Sequence, residues 1–135
     1  MKTKRVISLL LLLIIGQLYS SALLAASNSK NNAMYEMAEI MLRLKHFPSP
    51  AGKETLQVII DDKATSKNQR ILATAMINLQ HKAVGADVSK LKELIEDSTA
   101  SQDERDLAKI LYELDHRPTK ENKQRLEKML KDNSA

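Results

Sequence analysis

The three histidines of this chain stand at positions 46, 81 and 116, separated by 35 residues and then by 35 again. Laying residues 46–80 over 81–115 on that register superimposes ten identical pairs, among them Ala51/Ala86, Leu56/Leu91, Ile60/Ile95, Asp62/Asp97, Ser66/Ser101, Arg70/Arg105, Leu72/Leu107, Ala73/Ala108 and Leu79/Leu114. The match continues through Leu126, Leu130 and Asp132. It also extends backwards, where MAEIMLRLK (37–45) lies over LATAMINLQ (72–80) and LAKILYELD (107–115). A fixed period of this size marks a chain built from stacked units, none of which can bury its apolar face alone. The expected units are about 28–62, 63–97 and 98–132.

Each unit reads as two helices. The first spans about 33–45, 67–80 and 102–115, and the second about 50–62, 87–97 and 120–131. Ser66 with Gln69 and Ser101 with Glu104 have capping-box spacing: the hydroxyl accepts a free N–H of the first turn and the longer side chain reaches back to the cap. Ser49 before Pro50 is a good start because proline lacks the N–H that would go unpaired there. Thr119 holds the matching position in the last unit, and Asp87 is the expected cap in the middle one. Leu72, Ala73, Ala75, Met76, Ile77 and Leu79 leave only a narrow polar stripe on the first helix of the middle unit, so that helix must be covered from several sides. The second helices carry a narrower apolar seam. The expectation is therefore an all-α fold of three stacked helix-turn-helix repeats, the first helices forming a spine and the second covering it.

The N-terminus has a different logic. Lys2, Lys4 and Arg5 precede the apolar run VISLLLLLII (6–15), and small residues gather in SSALLAAS. A basic start, an apolar core and a small-residue zone form the pattern of a secretory signal peptide. Residues 1–26 are expected to be that signal, cleaved after Ala26 or alternatively Ala22, with 27–135 the repeat domain. The expected location is periplasmic or secreted. If the signal is not cleaved, Val6–Ala26 is long enough to anchor the chain in a membrane. With no cysteine anywhere, a lipoprotein, a disulfide framework and a thiolate metal site are all excluded.

Loss of residues 1–26 lowers Lys plus Arg from 21 to 18 against 17 Asp plus Glu, so the formal charge falls from +4 to near +1. The basic balance thus belongs mostly to the signal, which removes the electrostatic case for a nucleic-acid partner. Aromatic residues make up only 3% of the chain, too few for a stacking platform. No nucleophile elbow, zincin, phosphate-loop or calcium-loop spacing is present, and no enzymatic activity is expected.

Among candidate sites, His46, His81 and His116 invite a metal reading. Equivalent positions in packed helices are about 10 Å apart, too far to share an ion whose bonds to nitrogen are about 2 Å. The histidines are therefore expected to be structural, capping carbonyls at helix C-termini, with no metal site and no cofactor. Asp62, Asp97, Arg70 and Arg105 repeat together, and a structural ion pair at each junction is expected, each carboxylate facing the N–H groups of the next helix. Met34, Met37, Met41, Met76 and Met129 fall mostly on apolar faces and suit core packing, copper or haem ligation being the alternative.

Helical hairpins at a 35-residue period resemble the tetratricopeptide-like α-solenoids over essentially the whole of 27–135. The resemblance is one of architecture, since the Trp, Leu-Gly and Tyr signature is absent. It implies a short right-handed solenoid with a surface for a protein or peptide partner in the cell envelope. The expected function is an exported adaptor, with exposed positions Lys53, Gln57, Asp61, Lys92 and Glu96 of the second helices as partner-binding candidates. A metal- or small-molecule-binding protein using histidine or methionine is the alternative.

Overall fold

A computed structural model describes residues 32–133. The signal assigned to 1–26 and both candidate cleavage positions lie outside the described residues. The described chain is all-helical, with six helices and no strands: α1 (32–42), α2 (Pro50–Asp61), α3 (Lys67–Ile77), α4 (Ala86–Glu96), α5 (Gln102–Tyr112) and α6 (Lys120–Asn133). None of these helices is long and apolar enough to cross a membrane.

The helix starts follow from local chemistry. The Ser66 hydroxyl accepts from the Gln69 N–H at 3.1 Å while Gln69 Oε1 accepts from the Ser66 N–H at 3.2 Å. Ser101 and Glu104 repeat this reciprocal cap at 3.2 and 2.9 Å. Ser49 Oγ accepts from the Gly52 N–H and Thr119 Oγ1 from the Asn122 N–H, at 3.1 and 3.2 Å. Each such cap contributes about 1 kcal/mol by satisfying a donor that the helix itself cannot.

Two details differ from the sequence expectation. The middle unit is capped by Gly85 rather than Asp87, with φ 55° and ψ −132° and no side-chain cap bond. That backbone region is closed to side-chain-bearing residues, so glycine fixes the chain's entry into α4. Asp87 is the second residue of the helix, buried, where its Oδ2 accepts from Asn78 Nδ2 at 2.8 Å. Secondly, α3 and α5 end at Ile77 and Tyr112, three residues short of the expected 80 and 115. His81 and His116, at φ 71° and 67°, reverse the chain just beyond these ends. A run of apolar residues cannot announce that reversal.

Helix α2 packs along α3 and α4 along α5; α3 also meets α4 and α5, and α5 meets α6. Helices α3 and α5 each bury five residues, whereas α2, α4 and α6 each bury three. Burial follows the sequence period. Met37, Leu72 and Leu107 are each 0% exposed, as are Leu56, Leu91 and Leu126. The five candidate methionines all lie in this core.

A buried carboxylate ties α3 to α5. Glu104 Oε1 accepts from Ser66 Oγ at 3.1 Å, and its Oε2 accepts from Asn68 Nδ2 at 3.3 Å besides capping its own helix. At the opposite ends of the same helices, the His116 N–H donates to the His81 carbonyl at 2.8 Å. Joined start to start and end to end, α3 and α5 run parallel.

Candidate metal centre

The loops 43–49, 78–85 and 113–119 each leave one helix and enter the next, and each carries one histidine. Main-chain geometry sets where the rings go. The Gln80 N–H donates to the Lys82 carbonyl across His81 at 3.2 Å, and the Arg117 N–H donates to the Asp115 carbonyl across His116 at 2.8 Å. The bond across His116 and its positive φ are those of a γ-turn of the rare, strained kind. Glycine is the ordinary occupant of such positions; a histidine held there costs roughly 1 kcal/mol or more. Among the described non-glycine residues only these two have positive φ.

These two turns and the His46 loop bring all three rings together. Ring centroids lie 5.1 Å apart for His46–His81, 5.5 Å for His46–His116 and 4.8 Å for His81–His116. One ring nitrogen from each residue lies within 4.8 Å of the other two, and all three residues are exposed. The Nδ1 atoms of His46 and His81 are 3.2 Å apart. Two nitrogens on one tetrahedral Zn²⁺ are separated by about 3.3 Å, given bonds of about 2.05 Å. That pair already stands at ligand spacing, and small rotations of exposed rings would close the rest.

This corrects the expectation of histidines about 10 Å apart. Packing distance separates helix axes, but the loops beyond the helix ends converge until His81 and His116 share a main-chain hydrogen bond. The geometric reason for expecting no metal site is thereby removed. The capping role is corrected too. The ring hydrogen bonds go to another imidazole and to Asp115, not to helix-end carbonyls.

Asp115, which sequence reasoning missed, gives the cluster its orientation. Its Oδ1 lies 2.8 Å from His116 Nδ1. A carboxylate that accepts the Nδ1 proton fixes the tautomer and leaves Nε2 free as a base, the arrangement that supports metal-ligating imidazoles. Its position immediately before a repeated histidine was the available signal.

The other candidate residues lie elsewhere. Arg70 Nη1 donates to the carbonyls of Asp62 and Thr65 at 3.3 and 2.7 Å. Arg105 Nη1 donates to those of Asp97, at 3.3 Å, and Ala100. The guanidinium groups thus bind the main chain of each junction. The carboxylates close the turn itself rather than facing the next helix: Asp62 Oδ1 accepts from the Ala64 N–H, and Asp97 Oδ1 from the Thr99 N–H, each at 2.8 Å. The Thr99 hydroxyl adds a further bond to Asp97 at 2.7 Å. The hydroxyl and N–H of Thr99, with a smaller contribution from Arg105, hold the Asp97 carboxyl below its ordinary value. Lys53, Gln57 and Asp61 on α2, and Lys92 and Glu96 on α4, are exposed, and Lys53 lines a surface depression with Asn78, Gln80 and Val84 of the His81 loop. Gln57 Nε2 donates to Asp61 Oδ1 at 3.1 Å.

No protein-family profile, curated protein or solved structure matches the chain.

Proposed function

We propose that this chain is an exported helical-repeat protein that captures a late first-row divalent ion at His46, His81 and His116. The observation that carries the reading is the convergence of three imidazoles from three loops, 35 residues apart in sequence, onto a volume one ion could fill. Imidazole nitrogens suit Zn²⁺, Cu²⁺ and Ni²⁺, whereas Mg²⁺ and Ca²⁺ prefer oxygen. The exposed location argues for capture and exchange rather than for a closed structural site, which supplies four ligands of its own.

The proposed scaffold is a short right-handed solenoid of three stacked repeats, like the tetratricopeptide type. It is supported by helix ends at 42, 77 and 112, by helix starts at 67 and 102, and by rows of buried residues with the same period. On this reading the repeat has a functional use: it delivers one ligand per unit to one edge. Export to the cell envelope rests on the signal pattern of residues 1–26.

Titration of the purified chain with Zn²⁺, followed by calorimetry, tests the proposal. One ion per chain is expected, with binding lost in His46→Ala and in His81→Asn, a change that tolerates the positive φ. Acidification should also abolish binding, because protons compete for the same lone pairs. Absence of stoichiometric binding by the parent chain at neutral pH would overturn the reading.

A protein-binding role for the second helices is a separate proposal. It is supported by the exposed row Lys53, Gln57 and Asp61 on α2, beside Val58, which is 68% exposed. Reversing the charges of Lys53 and Asp61 should abolish in-cell crosslinking to an envelope partner without moving Zn²⁺ affinity. Unchanged crosslinking would discard it.

A further inference from the structure

Three imidazoles leave a tetrahedral ion one ligand short. Among the described residues, no fourth side chain joins the three histidines as a ligand group, and the nearest carboxylate, Asp115, is engaged by His116 Nδ1. The fourth position is then open to a ligand from outside the described chain.

The residues beside each histidine indicate what that ligand should be. Lys45 precedes His46, Lys82 follows His81 and Arg117 follows His116, and all three are exposed. None of these three cations takes part in an ion pair with another described residue. Each histidine thus has one cation as a chain neighbour, and Asp115 is the one acid among those neighbours. This is an unfavourable surrounding for a bare divalent ion and a favourable one for an ion that carries an anion. A neutral fourth ligand would leave the added positive charge uncompensated. A carboxylate or phosphate oxygen would both complete the coordination and lower the electrostatic cost of loading.

Building on the metal reading, we infer that the loaded triad takes an anionic oxygen donor as its fourth ligand, held by the ion and attracted by Lys45, Lys82 and Arg117. The protein would then bind a carboxylate- or phosphate-bearing molecule only when metal is present. Each cation, in water and one residue from the site, should change anion affinity roughly two- to threefold.

Cobalt(II) serves as the probe, because its visible spectrum reports both binding and changes in coordination. The purified chain is loaded with Co²⁺ and titrated separately with acetate, inorganic phosphate and free imidazole at constant ionic strength. The expected result is a saturable spectral change with acetate or phosphate. It should weaken roughly sixfold in the Lys82→Gln, Arg117→Gln double variant, while Co²⁺ itself binds that variant more tightly. A response to acetate alone assigns the ligand to carboxylates, and a response to phosphate alone assigns it to phosphate esters. Co²⁺ binding with a response only to imidazole, or with anion affinity unchanged in the double variant, would overturn the inference and leave the metal reading standing. Failure of the parent chain to bind Co²⁺ or Zn²⁺ would overturn both.

Discussion

Two rows of residues in this protein share one period and have opposite fates. Leu56, Leu91 and Leu126 recur every 35 residues and are each 0% exposed. His46, His81 and His116 recur with the same spacing and all are exposed. The leucine row is explained by packing, since an apolar side chain at each seam closes the core of its own unit. Packing does not explain the histidine row. Its members touch mostly one another, and two of them occupy backbone conformations that disfavour any side chain. His81 and His116 combine repetition, exposure and backbone strain, a combination that points to the side chain rather than to packing.

The comparison breaks first at its buried half. Leu91→Ala should lower stability by about 3 kcal/mol, read by urea denaturation, because Leu91 is enclosed with no route to solvent. A loss below about 1 kcal/mol would mean that the leucine row is no more structural than the histidine row.

The next effect concerns the entry to α4. Gly85→Ala should cost about 1–2 kcal/mol. No atom lies within 4 Å of the added methyl, so the whole penalty is in the backbone. The test is thermal denaturation of the metal-free chain. A neutral outcome would mean that positive φ is cheap in these loops, and the strain assigned to the histidines would fall with it.

The sharpest test gives two assays opposite signs. His116→Gly should raise the stability of the metal-free chain by up to about 1 kcal/mol, by relieving its positive φ. The same change should remove the Zn²⁺-dependent stabilisation that the proposed site would give the parent chain, about 2.7 kcal/mol at a hundredfold excess over Kd. Loss of stability in the metal-free variant would make His116 a structural residue like the leucines.

The smallest effect lies at the junction turn. The Asp97 carboxyl titrates below the ordinary 3.8, chiefly through the Thr99 hydroxyl and N–H. A carboxyl lowered in the folded state stabilises it at pH values above the unfolded value, and this contribution fades as pH falls through the folded one. Thr99→Ala should therefore reduce stability slightly at neutral pH and flatten its loss as pH falls below the ordinary carboxylate value. An acid limb identical to that of the parent would remove Thr99 from the account.

Much of the fold was legible because its signals are local. Ser66, Ser101, Ser49 and Thr119 announce helix starts through side chains that bond within three residues. The period located the histidines at equivalent places. What could not be read was set by backbone sign and by distance in the chain. Histidine at positive φ carries no glycine to betray the turn, so the first helices read three residues too long. The approach of the rings depends on a hydrogen bond between residues 35 apart, His116 to His81. Asp87 looked like a cap because its side chain suits one, but Gly85 reaches the required conformation first and Asp87 turns to Asn78.

Glu104 adds a consequence for how such a chain could change length. Its carboxylate bonds its own helix start and the Ser66 and Asn68 side chains at the start of α3, which lies 35 residues earlier. A one-residue insertion anywhere in 70–100 would have to be absorbed in a loop, or it would pull the carboxylate out of register with Ser66 and a histidine out of the triad together. Growth by duplication is therefore tolerated only in whole multiples of 35. Each added copy would also bring another imidazole to the same edge, and the row of three rings would lengthen with the chain.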